Sequence, residues 1–209
     1  MNSRRGRVVI RVFTLFTFLS GLMNCVGSNG KDRPTPIDEI IQALRGVCAS
    51  AMTEEESQPF EKQLRSHGLV AVDPLITLAK GPDPAGCRVI ALFVLADLAR
   101  EHASLTPRLV RELIPLAEDK DLQQLVPQIL SGFGDTANED LIAHLGTTQP
   151  DQRRAAFVAL LWINKQRIVE RPDLRDFDLG APDTDWLMLA DRWKAWWATA
   201  KKNASKPQP

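Results

Sequence analysis

Apolar residues recur three and four positions apart from Thr35 onward, and no stretch alternates for long enough to form a strand. Thr35 and Pro36 suit the N-cap and first turn of a helix. The apolar positions that follow share one helical face: Ile37, Ile40, Ile41, Leu44, Val47 and Cys48. This spacing predicts an all-α protein.

A second helix is predicted to follow at once. Thr53 and Glu56 have the spacing of a capping box, Phe60 and Leu64 continue the apolar face, and Gly68 ends it. Residues 36–68 are therefore predicted to form an N-terminal helical hairpin, preceded by a linker over residues 29–35.

The middle of the chain contains an internal repeat. The segment that begins "LRSHGLVAVDPLITLAK" at Leu64 aligns with "LSGFGDTANEDLIAHL" from Leu130 at a constant offset. Shared landmarks are Leu64 with Leu130, Gly68 with Gly134, Leu75 and Ile76 with Leu141 and Ile142, Pro84 with Pro150, and Arg88 with Arg154. The offset is twice about 33 residues, the length of a two-helix repeat, and a third unit lies between the copies. Residues 69–168 are predicted to be a helical-repeat array.

The repeat resembles the HEAT-like (armadillo-type) family. "DPLITL" and "EDLIAHL" resemble its first helix, "GPDPAGCR" and "TQPDQRR" its turn, and "GFGD" the link between units. The resemblance implies a short α-solenoid of helical hairpins, in which a turn aspartate and a second-helix arginine tie neighbouring units together. Asp83 with Arg88, and Asp151 with Arg154, are the expected pairs. The middle unit has aspartates but no following arginine, so the series is expected to be interrupted there.

The C-terminal segment "WKAWW" is predicted to close the array. Stacked repeats need an end whose outer face is covered. Thr184 is predicted to cap a helix over residues 185–201, after an acidic loop at 169–184 and before a disordered tail at 202–209. Four rings fall mostly on its broad apolar face: Trp186, Trp193, Trp196 and Trp197. Exported bacterial HEAT-like proteins have a similar tryptophan-rich last helix. The alternative is that a ring at the rim contacts a ligand or a lipid headgroup.

The first residues have the pattern of an export signal. Four arginines precede an apolar stretch of 12 residues, Val12 to Met23, too short to span a membrane. "LMNC" is similar to a bacterial lipobox, which makes Cys25 a candidate lipidation site and ends the signal at residue 24. The alternative is ordinary cleavage after Ser28. Both place the protein in the periplasm or cell envelope, with membrane contact only through a lipid anchor.

Export makes disulfide formation possible in principle, because secreted proteins fold under oxidising conditions. Cys48 and Cys87 are the two cysteines outside the first segment. They form either one disulfide or two buried thiols that pack as small apolar side chains.

Charge and motifs narrow the class of function. The 26 basic and 26 acidic residues balance, which argues against a nucleic-acid partner. The three histidines are scattered, the aspartates near Asp178 lack the order of a calcium loop, and "GFGDTA" follows an expected helix instead of a strand. No cofactor, metal ion or enzymatic activity is therefore predicted.

The leading hypothesis is a binding or scaffold protein of the cell envelope that recognises a protein or peptide. Its candidate contacts are polar positions on the second helices: Gln124, Gln128, Asn164 and Lys165. The alternative is an accessory or lyase-like enzyme that binds a chromophore or small ligand, since some HEAT-like proteins handle tetrapyrroles. The export signal fits poorly with that cytosolic chemistry.

Overall fold

The computed structural model describes residues 35–48 and 53–204. Within these ranges the secondary structure is helical and contains no strand, which confirms the all-α prediction for this part of the chain. The predicted signal segment, Cys25 and nearly all of the 29–35 linker lie outside the described residues. None of the described helices is both long enough and apolar enough to cross a membrane.

Ten α-helices make up the described part. They are α1 (Ile37–Cys48), α2 (Glu54–Ser66), α3 (Val72–Lys80), α4 (Ala85–Glu101), α5 (Thr106–Leu113), α6 (Leu125–Ser131), α7 (Asn138–Leu145), α8 (Pro150–Ile163), α9 (Pro172–Arg175) and α10 (Asp183–Ala204). Short 3₁₀ helices at Gly68–Ala71, Ala103–Leu105, Ile114–Glu118 and Gly134–Ala137 connect several of them.

The start of α2 confirms the predicted capping box. The Glu56 amide donates to the Thr53 hydroxyl, and the Thr53 amide donates to Glu56 Oε2 at 2.8 Å. Each bond pairs a backbone N–H that has no partner inside the helix, and together they fix where the helix begins.

Helices adjacent along the chain pack as pairs, most extensively α3 with α4 and α7 with α8. The second helices also touch one another, α4 with α6 and α6 with α8, while α5 contacts α7 and α7 contacts α10. At the N-terminal end, α1 and α2 both pack on α4. One core of buried apolar side chains runs from Ile40 to Trp193 through these contacts.

The two repeat copies match closely through their first helices. Gly68 and Gly134 have positive φ values of 56° and 63°, and each opens a 3₁₀ turn that leads directly into a first helix. A left-handed backbone conformation strains residues with a Cβ, so glycine is required at both positions. Leu75 and Leu141 are both fully buried.

The alignment shifts by one residue in the turn that follows. α7 has eight residues and α3 has nine, so the structural counterpart of Arg88 is Arg153 and not Arg154. Arg88 and Arg153 are both buried at the fourth position of their helices, whereas Arg154 is half-exposed. Pairing Arg88 with Arg154 was therefore wrong, because the shorter first helix brings the next one forward.

The C-terminal helix is longer than the expected 185–201. It begins at Asp183, so Thr184 lies inside the first turn and does not cap it. The Pro182 carbonyl accepts bonds from the amides of Asp185 and Trp186, which starts the helix earlier. The helix continues to Ala204, so residues 202–204 are not part of a disordered tail. The expected acidic loop contains the single turn α9.

A disulfide joins Cys48, the last residue of α1, to Cys87 in the first turn of α4. The two Cα atoms lie 5.6 Å apart, within the usual range for this bond. Beside it, the Arg45 guanidinium donates to both carboxylate oxygens of Asp83, at 2.7 and 3.2 Å. A covalent bond and a bidentate ion pair therefore attach the N-terminal helix to α4.

Replacing both cysteines, Cys48→Ala with Cys87→Ala, should lower the free energy of unfolding by about 4 kcal/mol, the loop-entropy value for a loop of this length. The bond spans 39 positions of sequence, and removing it lets the unfolded chain explore more conformations. Urea denaturation measures the change. Parent protein treated with dithiothreitol is the control and should resemble the double variant; identical midpoints for oxidised parent and variant would contradict the prediction.

Candidate binding groove between α6 and α8

Arginines of one helix pair reach forward to aspartates of the next. Arg45 binds Asp83, and Arg88 binds Asp119 at 2.7 Å while its Nε donates to the Ala79 carbonyl at 2.9 Å. The expected pair of Asp83 with Arg88 was therefore wrong. Each arginine contacts the aspartate that follows its own unit, because the Nε bond to the end of α3 directs the Arg88 side chain away from Asp83.

A third forward pair lies near the C-terminus. Arg153 Nη1 donates to Asp183 Oδ1 at 2.6 Å, and the guanidinium lies 5.1 Å from the centroid of the Trp186 ring. The Arg153 side chain is 9% exposed but that of Asp183 is 71% exposed, so water reaches the carboxylate side of this pair. The expected pair of Asp151 with Arg154 exists only as a 3.4 Å contact within α8 and does not join two units.

A hydrogen bond holds Asp119 in its charged form. The Arg88 hydrogen bond lowers the pKa of Asp119, and the backbone amide of Asp121 adds to the effect. The hydrogen bond from Arg45 to Asp83 raises the pKa of the arginine. The Arg88–Asp119 pair therefore stays ionised across the neutral range and acts as a charge-assisted hydrogen bond between units.

The series is interrupted between α6 and α8, as the sequence predicts. Helix α6 has seven residues, against seventeen in α4 and fourteen in α8, and contains no arginine. Asp151, at the start of α8, contacts only Arg154 of its own helix within the described ion pairs. A hydrogen bond that is not an ion pair lies nearby, where Gln152 donates to Glu118 at 2.6 Å.

A cleft of about 340 Å³ opens at this interruption, and we call it the α6–α8 groove. Its lining combines amide, charged and apolar side chains. These are Ala117, Gln123, Gln124, Pro127, Gln128, Asp151, Arg154, Ala155, Val158 and Trp162. Two of the four predicted contact residues, Gln124 and Gln128, are exposed and lie together in it.

The other two predicted contacts are not in the groove. Asn164 is fully buried and donates to Asn138 Oδ1 at 2.7 Å and to the Leu160 carbonyl at 3.1 Å, so its assignment as a partner contact was wrong. Asn164 is the C-cap of α8, at a buried position that corresponds to the buried Ala99 of the earlier copy. Lys165 is exposed but does not line the groove.

Trp162 is the main groove residue that sequence reasoning missed. It is 48% exposed, unusual for so large an apolar side chain. The run "AAFVALLWI" is apolar on every side, so it shows no outward face. The feature that could have identified Trp162 is the four-residue spacing of Arg154, Val158 and Trp162, which places them in one row on α8.

The C-terminal tryptophans divide into two groups. Trp186 and Trp193 are fully buried, whereas Trp196 and Trp197 are half-buried. Trp186 packs edge-on against Phe177 and Phe157, with ring centroids 4.7 and 6.0 Å away. "WKAWW" thus supplies one core side chain and two that remain partly accessible.

The described residues form neither a metal site nor a dinucleotide-binding turn. Among the described residues, no three histidine, cysteine or carboxylate side chains are placed to hold a metal ion. Asp173 and Asp176 instead bind Arg171 and Arg175. "GFGDTA" follows helix α6 and not a strand, so it lacks the context of a dinucleotide-binding turn.

Comparison of the chain with protein-family models, with curated proteins and with solved structures finds no match in any of the three.

Replacing the buried ring, Trp193→Ala, should lower the free energy of unfolding by about 3–5 kcal/mol, the usual cost of truncating a buried tryptophan. Trp196→Ala should cost clearly less, because its ring is already partly hydrated. Urea denaturation of both variants, with Trp162→Ala as an exposed control, tests the ranking. Equal losses at positions 193 and 196 would contradict it.

Proposed function

We propose that this chain is an exported, HEAT-like helical-repeat protein that binds a protein or peptide partner in the cell envelope. The proposed architecture is a short α-solenoid. It is supported by the recurrence of buried leucines and positive-φ glycines at one offset, and by contacts among successive second helices. A two-helix unit exposes an apolar face, and stacking covers it.

Helix α10 serves as the proposed C-terminal cap of the array. It packs on α7, the first helix of the last unit, and contributes the two buried rings of Trp186 and Trp193. The Arg153 to Asp183 pair attaches its first residue to α8. Large rings suit this role because each removes on the order of 150–250 Å² from water.

The partner is proposed to bind in the α6–α8 groove, and the missing arginine–aspartate pair is the observation that carries this proposal. Where α6 supplies no arginine, Asp151 and Arg154 stay half-exposed at the cleft and contact only each other among the described ion pairs. Such exposed charges, together with the neighbouring amides, are accessible to a ligand.

An extended peptide fits the chemistry of the groove. Gln124 and Gln128 each offer a donor and an acceptor, which match the N–H and C=O groups of a peptide backbone. Trp162 and Val158 provide an apolar contact for one side chain of the partner. Aromatic side chains with polar neighbours are typical of the energetically dominant part of protein interfaces.

Export is proposed from the first segment, with residues 1–28 as a signal peptide, or residues 1–24 if Cys25 is lipidated. The disulfide between Cys48 and Cys87 supports this, because such bonds persist mainly in oxidising compartments. The partner would then be an envelope or periplasmic protein.

Groove variants test the binding proposal. Immobilised parent protein should retain a defined polypeptide from an envelope extract, and Gln128→Ala with Trp162→Ala should weaken retention roughly tenfold or more, since hot-spot truncations cost about 2 kcal/mol or more. Lys165→Ala is the matched control, an exposed residue close in sequence but outside the groove. Retention that is unchanged in the groove variant, or lost equally in the control, would place binding elsewhere.

Mass spectrometry of the protein purified from its native cell tests the export proposal. We expect a chain that lacks residues 1–24 with a diacylglycerol adduct on Cys25, or one that lacks residues 1–28. Cys25→Ser should abolish the adduct if the first form is found. An intact chain that begins at Met1 would refute export.

A further inference from the structure

A second cleft lies at the C-terminal end of the described chain, and we call it the tryptophan cleft. It has a volume of about 540 Å³, within the range of small-molecule sites. Its walls include Trp196 and Trp197 of α10, and its polar groups include Asp135, Arg167 and Thr199. It shares no lining residue with the α6–α8 groove.

The aromatic wall is fixed in position by its neighbours. Trp193, fully buried, packs edge-on against Trp196 at a centroid distance of 5.3 Å. The rings of Trp196 and Trp197 lie 6.0 Å apart and are tilted by 36°. Because the inner ring cannot move without disturbing the core, the two outer rings form a preorganised apolar surface.

One polar group at this wall lacks a partner. The Trp197 indole nitrogen is buried and makes no hydrogen bond within the described structure. Because this atom is itself buried, Trp197 offers the cleft the surface of its ring and not its N–H group.

The opposite side of the cleft offers both donors and acceptors. Arg167 Nη1 donates to Asp135 Oδ1 at 2.7 Å, a single-point contact. Both side chains are about half-exposed, at 49% and 50%, so the second carboxylate oxygen and the remaining guanidinium N–H groups are accessible. The hydrogen bond to Asp135 raises the pKa of Arg167, so the guanidinium stays charged.

The charges of the cleft are compensated. Asp135 neutralises Arg167, and Glu139 pairs with Lys201, which also lines the cleft. A small anion would therefore meet no unbalanced positive charge. A neutral molecule that both donates and accepts hydrogen bonds would match the lining better.

We propose that the tryptophan cleft binds a neutral saccharide. The C–H face of a sugar ring is apolar and flat enough to pack on an indole ring, while its hydroxyl groups donate to Asp135 and accept from Arg167. This inference does not depend on the α6–α8 groove binding a peptide, because the two sites share no residue.

Titration of the intact mature protein tests the proposal, with calorimetry and tryptophan fluorescence as readouts. The probes are maltotriose and the trimer of N-acetylglucosamine, both neutral, and glucuronate as the anionic comparison. We expect at least one neutral trimer to bind with millimolar or tighter affinity and to shift the emission, and glucuronate to bind more weakly.

Variants locate the site. Asp135→Asn removes a charged acceptor from an exposed side chain and should weaken saccharide binding roughly tenfold, since hydrogen bonds to charged groups are worth about 1.5–3 kcal/mol. Trp197→Phe should weaken it as well, because the smaller ring leaves less aromatic surface for the sugar. Trp162→Phe, the same change in the other cleft, is the matched control and should leave affinity unchanged.

Three results would overturn the inference. They are the absence of binding by either neutral trimer, preferential binding of glucuronate, and equal affinities in the parent and in folded Asp135→Asn protein. The melting temperature of each variant is measured alongside, and Asp135→Asn keeps the test decisive if Trp197→Phe proves unstable.

Discussion

A pair of short helices cannot cover its own apolar faces, and the rest of this structure depends on that constraint. Leu75 and Leu141 are fully buried, and contacts between successive second helices join the helix pairs to one another. Burial of apolar surface supplies the main favourable free energy of folding, so each unit is stabilised by its neighbours. The units at the two ends of the series have a neighbour on one side only, so their outer apolar faces must be covered in another way.

Polar contacts between helix pairs differ along the chain. Where Arg88 reaches Asp119, the two charges are paired across units. Where α6 is reduced to seven residues and supplies no arginine, Asp151 keeps only a contact within its own helix. The irregular unit therefore has one stabilising contact fewer, and a cleft lies in its place. A loss of stability that leaves an accessible surface is common at functional sites.

The structural features that depend on local chemistry and on repetition could be predicted from the sequence. The capping box at Thr53 and the required glycines at positions 68 and 134 follow from backbone geometry alone, and the structure has all three. The error at Arg154 has a different origin. Because α7 has one residue fewer, α8 begins one position earlier in the alignment, and neighbouring positions lie about 100° apart around a helix axis, enough to exchange a buried position for an exposed one. Such a shift is set by packing, and a run that is apolar on every side gives no indication of it.

The buried amides of the last unit show that its interior differs from that of its earlier copy. Asn138 and Asn164 stand where Val72 and Ala99 are buried in the first copy, and one hydrogen bond joins them. Asn138 Nδ2 and Asn164 Oδ1 have no partner in the described structure. An apolar pair would avoid that cost, so the two amides lower the stability of the fold. Each lies three residues from Asp135 or Arg167, and the two segments they join are those that bring this ion pair to the tryptophan cleft. A directional hydrogen bond at this point fixes the relative position of the two segments more tightly than interchangeable apolar contacts would.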